Sequence, residues 1–205
     1  MGFTRIKVCG ITSVEDALAA IACGVDVLGL VFYRKSPRAV SIEQACEIAR
    51  HVAPFTCLVG LFVNAPERDI EAVLGKVPLS LLQFHGDETE VDCNRWHLPY
   101  IKALRVRPEI PVNEMIAPFS SASGYLLDSY RPGVVGGTGE SFDWELIPDN
   151  LDKPVILAGG LNPGNVQKAI MTVNPYAVDV SSGVERTPGI KDIDKIKAFV
   201  KAAGR

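Results

Sequence analysis

Short apolar, β-branched runs alternate with segments of helical periodicity along almost the whole chain, the pattern of a parallel sheet wrapped by crossover helices. Eight candidate strands fall at residues 5–9, 27–32, 57–63, 79–84, 100–106, 124–128, 154–158 and 177–180. Their near-continuous hydrophobicity suits strands covered on both faces. Helical spacing follows most of them, at 14–22, 42–52, 67–74, 165–173 and 193–202, with Gly24 and Gly204 as C-terminal stops. The fifth and sixth units read poorly. Residues 107–123 hold three prolines and three serines, which leaves room for a short helix at most. Eight strands with no residues to spare favour one compact α/β domain over residues 1–205, a (β/α)8 TIM barrel rather than an open doubly wound sheet. The helix after strand five is expected to be short or absent.

Composition narrows the class. With 205 residues and 47% hydrophobic content the chain can bury a substantial single core. The net charge of -3, with lysines and arginines scattered among the acids, gives no footprint for a nucleic-acid backbone. Five cysteines at irregular spacings, with no CxxC pair, argue against a disulfide framework or a structural zinc site and fit a reducing cytoplasm. No signal-peptide core follows Arg5 and Lys7, and the longest apolar run, residues 27–33, is far too short to cross a bilayer. A small-molecule ligand is expected, with neither a nucleic-acid nor a membrane partner. The sequence leaves monomer and homodimer both open.

In such a barrel the residues at the carboxyl ends of the strands, and in the loops after them, build the active site. That rule nominates Cys9, Arg38, Asn64, His85, Asp128, the pair Gly159-Gly160 and the run Asp179-Val180-Ser181-Ser182-Gly183. Glycines admit a ligand close to the backbone, serine hydroxyls donate, and a short helix can offer free N–H groups to an anion. Gly159, Gly160, Ser181, Ser182 and Gly183, on adjacent strand ends, therefore read as one phosphate site. No comparable pair of glycines follows strands three and four, so a substrate with a single phosphate is expected. Asp128 emerges where an apolar strand reaches the mouth, a setting that suits a general acid and equally an aspartate that caps the next loop. Cys9 lies roughly across that mouth. An ordinary thiol is only about 3% thiolate at pH 7, so a base at Cys9 is expected to have its pKa lowered by about a unit or more. Lys7 is one possible source of the positive charge, and a buried ion pair between Lys7 and Asp179 is an equally good account of that lysine.

The motifs Lys7-Val8-Cys9-Gly10-Ile11-Thr12, Ser36-Pro37-Arg38, Gln83-Phe84-His85-Gly86, Leu127-Asp128, Gly136-Gly137-Thr138-Gly139, Ala158-Gly159-Gly160-Leu161 and Asp179-Val180-Ser181-Ser182-Gly183-Val184-Glu185 stand in the order of one family. Over essentially its whole length the chain resembles the phosphoribosylanthranilate isomerases. The resemblance implies an Amadori rearrangement in tryptophan biosynthesis, run without a metal or organic cofactor, on a phosphosugar that carries an anthranilate moiety. It implies Cys9 as the general base at C2 of the sugar and Asp128 as the general acid at the furanose ring oxygen. Arg38 matches the arginine that holds the anthranilate carboxylate, a bidentate task that lysine does worse. His85 and Asp179 fall where the substrate pocket is lined, Gly137 in a loop able to cover the substrate, and Gly160, Ser182 and Gly183 in the phosphate site. Two other readings stay open at this point. One is a bifunctional isomerase that also serves histidine biosynthesis and needs a second phosphate site; the other is a catalytically silent phosphosugar-binding barrel.

Overall fold

A computed structural model describes residues 3–129 and 143–205. In chain order the elements are β1 (Arg5–Cys9), α1 (Val14–Ala22), β2 (Val27–Val31), α2 (Ile42–His51), β3 (Cys57–Phe62), α3 (Glu67–Leu74), β4 (Leu81–Phe84), α4 (Glu90–Asn94), β5 (Tyr100–Val106), α5 (Val112–Ile116), β6 (Gly124–Ser129), β7 (Val155–Leu157), α6 (Val166–Val173), β8 (Ala177–Val180), β9 (Glu185–Thr187), β10 (Ile190–Lys191) and α7 (Ile193–Ala202). Strands β1 to β8 pair in parallel with their sequence neighbours and close into a barrel. The closing seam pairs Arg5, Ile6, Lys7 and Val8 with Ala177, Val178, Asp179 and Val180.

Local chemistry sets where the helices start. The Ser13 hydroxyl accepts the Asp16 N–H, Ser41 and Gln44 cap α2 reciprocally, and the Asp192 carboxylate accepts the N–H groups of Asp194 and Lys195. Each such cap stabilises its helix by about 1 kcal/mol. Thr89 and Asp92 do the same for α4, a five-residue helix that too few apolar repeats announce. The crossover after β5 holds the five-residue α5, as the proline- and serine-rich stretch led us to expect. Between β6 and β7 the described residues form a 3-10 turn, Trp144–Leu146. Strand β4 starts later than its apolar run, because the Leu79 N–H is tied to the Val77 carbonyl and register with β3 runs from Leu81.

One element was not expected. After β8 the chain makes a 3-10 turn, Ser182–Val184, and then the antiparallel ribbon β9–β10 before α7.

Side chains alternate between two layers of core. In β1, Ile6 and Val8 join the apolar layer beneath the helices, while Lys7 reaches Asp179 and Cys9 packs with Val31 and Leu61 inside the barrel. Lower in the barrel the fill is Ile101, Ala103, Leu126, Ile156, Ala158 and Ala177. This packed plug lies beneath the cavity at the carboxyl ends of the strands. No helix among the described residues is long and apolar enough to cross a membrane.

Candidate active site

A cavity of about 740 Å³, counted with its solvent-facing mouth, lies over the carboxyl ends of the strands. Cys9, Arg38, His85, Asp128, Asp179, Gly159, Gly160, Ser181 and Ser182 all line it. Gly183 does not. A side chain there would strike the Leu161 carbonyl, so Gly183 is what lets the turn after β8 press against the loop after β7. Gly137 lies outside the described residues.

Cys9 is buried at the end of β1, on the same inward face as Lys7. The Lys7 ammonium donates to Asp179 Oδ1 at 2.9 Å across the barrel seam, so the ion pair considered from the sequence is formed. The expectation that the site lowers the Cys9 pKa is not met. Burial pushes the thiol up, and the pull of Lys7 and Lys191 does not offset it, since Asp179 adds negative charge behind Lys7. The fold therefore favours the neutral thiol at Cys9. Its environment is nevertheless built for a change of charge, because Gly29 on β2 leaves open the space where the Cys9 sulfur and the Lys7 ammonium approach. A Cβ there would stand 2.9 Å from the sulfur and 3.2 Å from the nitrogen.

Asp128 is buried at the end of β6 with both oxygens engaged. Oδ1 accepts the Ser129 N–H at 2.8 Å, and Oδ2 faces His85 Nε2 at 3.2 Å. The Gln83 amide nitrogen meets His85 Nδ1 at 3.1 Å, which makes Nδ1 the acceptor and leaves the proton on Nε2, directed at Asp128. Gln83 on β4 and His85 just after it thus orient the carboxyl group on β6. Gly159, at φ +84°, completes the enclosure, for a side chain there would collide with the Ser129 nitrogen at 2.5 Å and crowd Asp128 Oδ1 at 3.0 Å.

Between Asp128 and Cys9 the ends of β7 and β8 converge on the cavity. Gly160, also at positive φ, has its carbonyl turned to the side-chain amides of Asn162 and Asn165 at 3.2 and 2.9 Å. The Ser181 hydroxyl is spent on the Cys9 carbonyl at 3.0 Å. Ser182 opens the short 3-10 turn, and its hydroxyl has no protein partner among the hydrogen bonds seen.

Arg38 reaches the cavity from the loop after β2, with its stem laid across Gly10, where a Cβ would stand 2.5 Å from Arg38 Cδ. Its Nε and Nη2 bond Glu185 Oε1 and Oε2 at 2.7 Å each. Glu185 Oε1 also accepts from Lys191 at 2.9 Å, and Lys191 donates to the Cys9 carbonyl at 2.7 Å. Glu185 closed the last motif read in the sequence, yet nothing there marked it as Arg38's partner, 147 residues away. Gln83 opened one of the motifs but had no role assigned to it, and Lys191 gave no signal at all.

Residues 6–202 match the family model of N-(5'phosphoribosyl)anthranilate isomerase. An N-(5'-phosphoribosyl)anthranilate isomerase of Pseudomonas fluorescens is 57% identical over 202 residues, covering 98% of this chain and 99% of the relative. The crystal structure of the phosphoribosyl anthranilate isomerase of Thermotoga maritima superposes with a TM-score of 0.91 at 42% identity, over 98% of this chain and 99% of that one. A further isomerase structure, solved with reduced 1-(o-carboxyphenylamino)-1-deoxyribulose 5-phosphate, gives a TM-score of 0.85 at 38% identity, over 98% of this chain and 99% of that one. A closed barrel with a thiol and a carboxyl group facing one cavity, matched along its whole length, leaves a single conclusion: the chain belongs to the N-(5'-phosphoribosyl)anthranilate isomerase family.

Proposed function

We propose that this enzyme isomerises N-(5'-phosphoribosyl)anthranilate to 1-(2-carboxyphenylamino)-1-deoxyribulose 5-phosphate in tryptophan biosynthesis, with Cys9 and Asp128 carrying the two proton transfers. The observation that supports the roles is their placement. Cys9 on β1 and Asp128 on β6 line the same cavity, with the glycine- and serine-bearing ends of β7 and β8 between them. A phosphate held by Gly160 and Ser182 fixes one end of the sugar over that gap. Asp128 then gives a proton to the furanose ring oxygen, the C1–O bond breaks, and the aryl nitrogen's lone pair completes the Schiff base. Cys9, as thiolate, removes the proton from C2, and its electron pair moves through C1 to the nitrogen to form the enolamine. Tautomerisation of that enolamine gives the ketone. Each turnover leaves Cys9 one proton richer and Asp128 one proton poorer, so solvent resets the pair. His85 and Asp179 line the space around the sugar, and Arg38 holds the anthranilate carboxylate.

A single-phosphate substrate is favoured over the larger one of the histidine pathway by the ends of β3 and β4. There the Glu88 carboxylate accepts the Asn64 and Gly86 N–H groups at 2.7 and 2.8 Å, and Asn64 Oδ1 takes the Asp87 N–H at 2.7 Å. Donors that a second phosphate would need are already bound to a carboxylate that Lys102 anchors at 2.7 Å. The five cysteines, none of them in a disulfide, support the cytoplasm as compartment. A Thermotoga maritima relative described as dimeric supports a homodimer, which light scattering reads directly.

Turnover is measured on freshly generated phosphoribosylanthranilate by loss of anthranilate-type fluorescence. Cys9→Ala and Asp128→Asn are each expected to cut kcat by about 100-fold or more with the circular dichroism spectrum unchanged. Rapid turnover by either variant would remove that residue from the mechanism. A folded wild type without turnover would point instead to a silent phosphosugar-binding barrel.

A further inference from the structure

We propose that Glu185 is a positioning residue that makes Arg38 a receptor for the substrate's aryl carboxylate, with Lys191 holding Glu185 in place, and that this clamp sets the enzyme's demand for a carboxylated aryl group. The inference rests on the reading of Arg38 given above. A guanidinium offers two edges for bidentate pairing. Glu185 fills the edge made by Nε and Nη2, with both bonds at 2.7 Å. Nη1 has no partner among the described residues, and the Nη1/Nη2 edge is left for a second carboxylate while Arg38 lines the cavity.

The clamp is fixed from behind. All three protons of the buried Lys191 ammonium are placed, on Glu185 Oε1 at 2.9 Å, on the Cys9 carbonyl at 2.7 Å and on the Ser181 carbonyl at 3.3 Å. Lys191 and Glu185 are opposite each other in the β9–β10 register, so the ribbon delivers the cation and the anion as one unit. The ribbon is itself docked, through Thr12 Oγ1 to the Gly189 carbonyl at 2.6 Å and the Lys191 N–H to Asp16 Oδ2 at 3.0 Å. Arg38 is pinned along its stem by Gly10 and at its head by Glu185, so it cannot swing out to solvent without breaking two charged bonds.

The charges give the arrangement its selectivity. Two cations and one carboxylate leave a single positive charge facing a partly enclosed cavity, which an arriving carboxylate neutralises. A neutral aryl group would leave it unmatched. Buried ion pairs are weak evidence for stability but good devices for fixing geometry, and here the geometry points at ligand space.

The test compares binding of two probes, the reduced product analogue 1-(2-carboxyphenylamino)-1-deoxyribitol 5-phosphate and its counterpart lacking the aryl carboxyl, by titration calorimetry. Wild type is expected to prefer the carboxylated probe by about tenfold or more. Arg38→Ala and Glu185→Gln are each expected to collapse that preference to about threefold or less while binding of the decarboxylated probe stays within about threefold of wild type. The double variant Arg38→Ala/Glu185→Gln should match Arg38→Ala alone, since Glu185 acts through Arg38. If Glu185→Gln does not fold, Glu185→Gln/Lys191→Met removes one charge of each sign and serves the same comparison. Full preference retained by the Glu185 variants while Arg38→Ala loses it would overturn the positioning role and leave Arg38's role intact. An equal loss for both probes would reduce Glu185 to a structural part and overturn the inference. Preference retained by Arg38→Ala would defeat the reading of Arg38 on which it rests.

Discussion

A methyl group at position 29 would sit 2.9 Å from the Cys9 sulfur and 3.2 Å from the Lys7 ammonium, so a glycine on a neighbouring strand decides whether base and cation can meet. Burial raises the Cys9 pKa above its ordinary value, and the thiolate the reaction needs is the minor form at neutral pH. The neutral thiol is the form the fold favours, hence the Cys9 thiolate, read by its ultraviolet absorbance as the difference between wild type and Cys9→Ala, should form only above the ordinary thiol pKa. Gly29→Ala should displace that titration further to alkaline pH, because Lys7 can no longer close on the sulfur. A Cys9 thiolate already formed at pH 6 to 7 would contradict this account. Cys9 and Asp128 were legible in the sequence because strand position alone nominates them. Their surroundings were not, since these bring together Gln83 on β4, His85 just after it, Gly29 on β2 and Asp179 on β8. His85 and Asp179 stood out by strand position, but nothing in the chain shows which partner each one meets.

Among the elements, the eight barrel strands and five of the helices were read to within a residue or two, while α4 and the ribbon β9–β10 were not read at all. Helices α1, α3 and α7 have the expected bounds, while the five-residue α4 depends on its Thr89–Asp92 caps rather than on an apolar stripe. The ribbon β9–β10 pairs three residues with two, too few for alternation to be visible, and only its docking on residues 9–16 and 38 explains why it is ordered. Its charge chemistry has a measurable consequence. Burial works against the Glu185 carboxylate, but Arg38 and Lys191 outweigh it and hold its pKa below the usual range. A carboxylate whose pKa is depressed by folding contributes stability above its unfolded pKa of about 4.3, and that contribution is lost as pH falls through the folded value. Urea unfolding of wild type should therefore lose stability more steeply below about pH 4.5 than Glu185→Gln does. Parallel acid limbs in the two proteins would show that the clamp does not depend on the ionised carboxylate.

At the scale of the molecule, the barrel was readable because eight apolar runs in 205 residues admit few other closed architectures. What the runs could not show is how far the two ends of the chain depend on one another at the seam. Lys7 finds Asp179, 172 residues later in the chain, Ser181 bonds the Cys9 carbonyl across the same separation, and Lys191 joins that carbonyl from 182 residues on. Contacts this remote in sequence carry a large closure entropy and tend to form late. The first strand of the barrel to be made thus bears a base that stays without its electrostatic partners until β8 and β10 have followed. During refolding, turnover should return with the final kinetic phase, after strand content has recovered, and stopped-flow circular dichroism beside a continuous fluorescence assay would separate the two. Activity that returned together with the earliest strand signal would mean that the seam closes first. As the seam stands, a partly made or partly unfolded barrel has no assembled acid–base site, and the enzyme's chemistry is itself a report that the barrel has been completed and its seam joined.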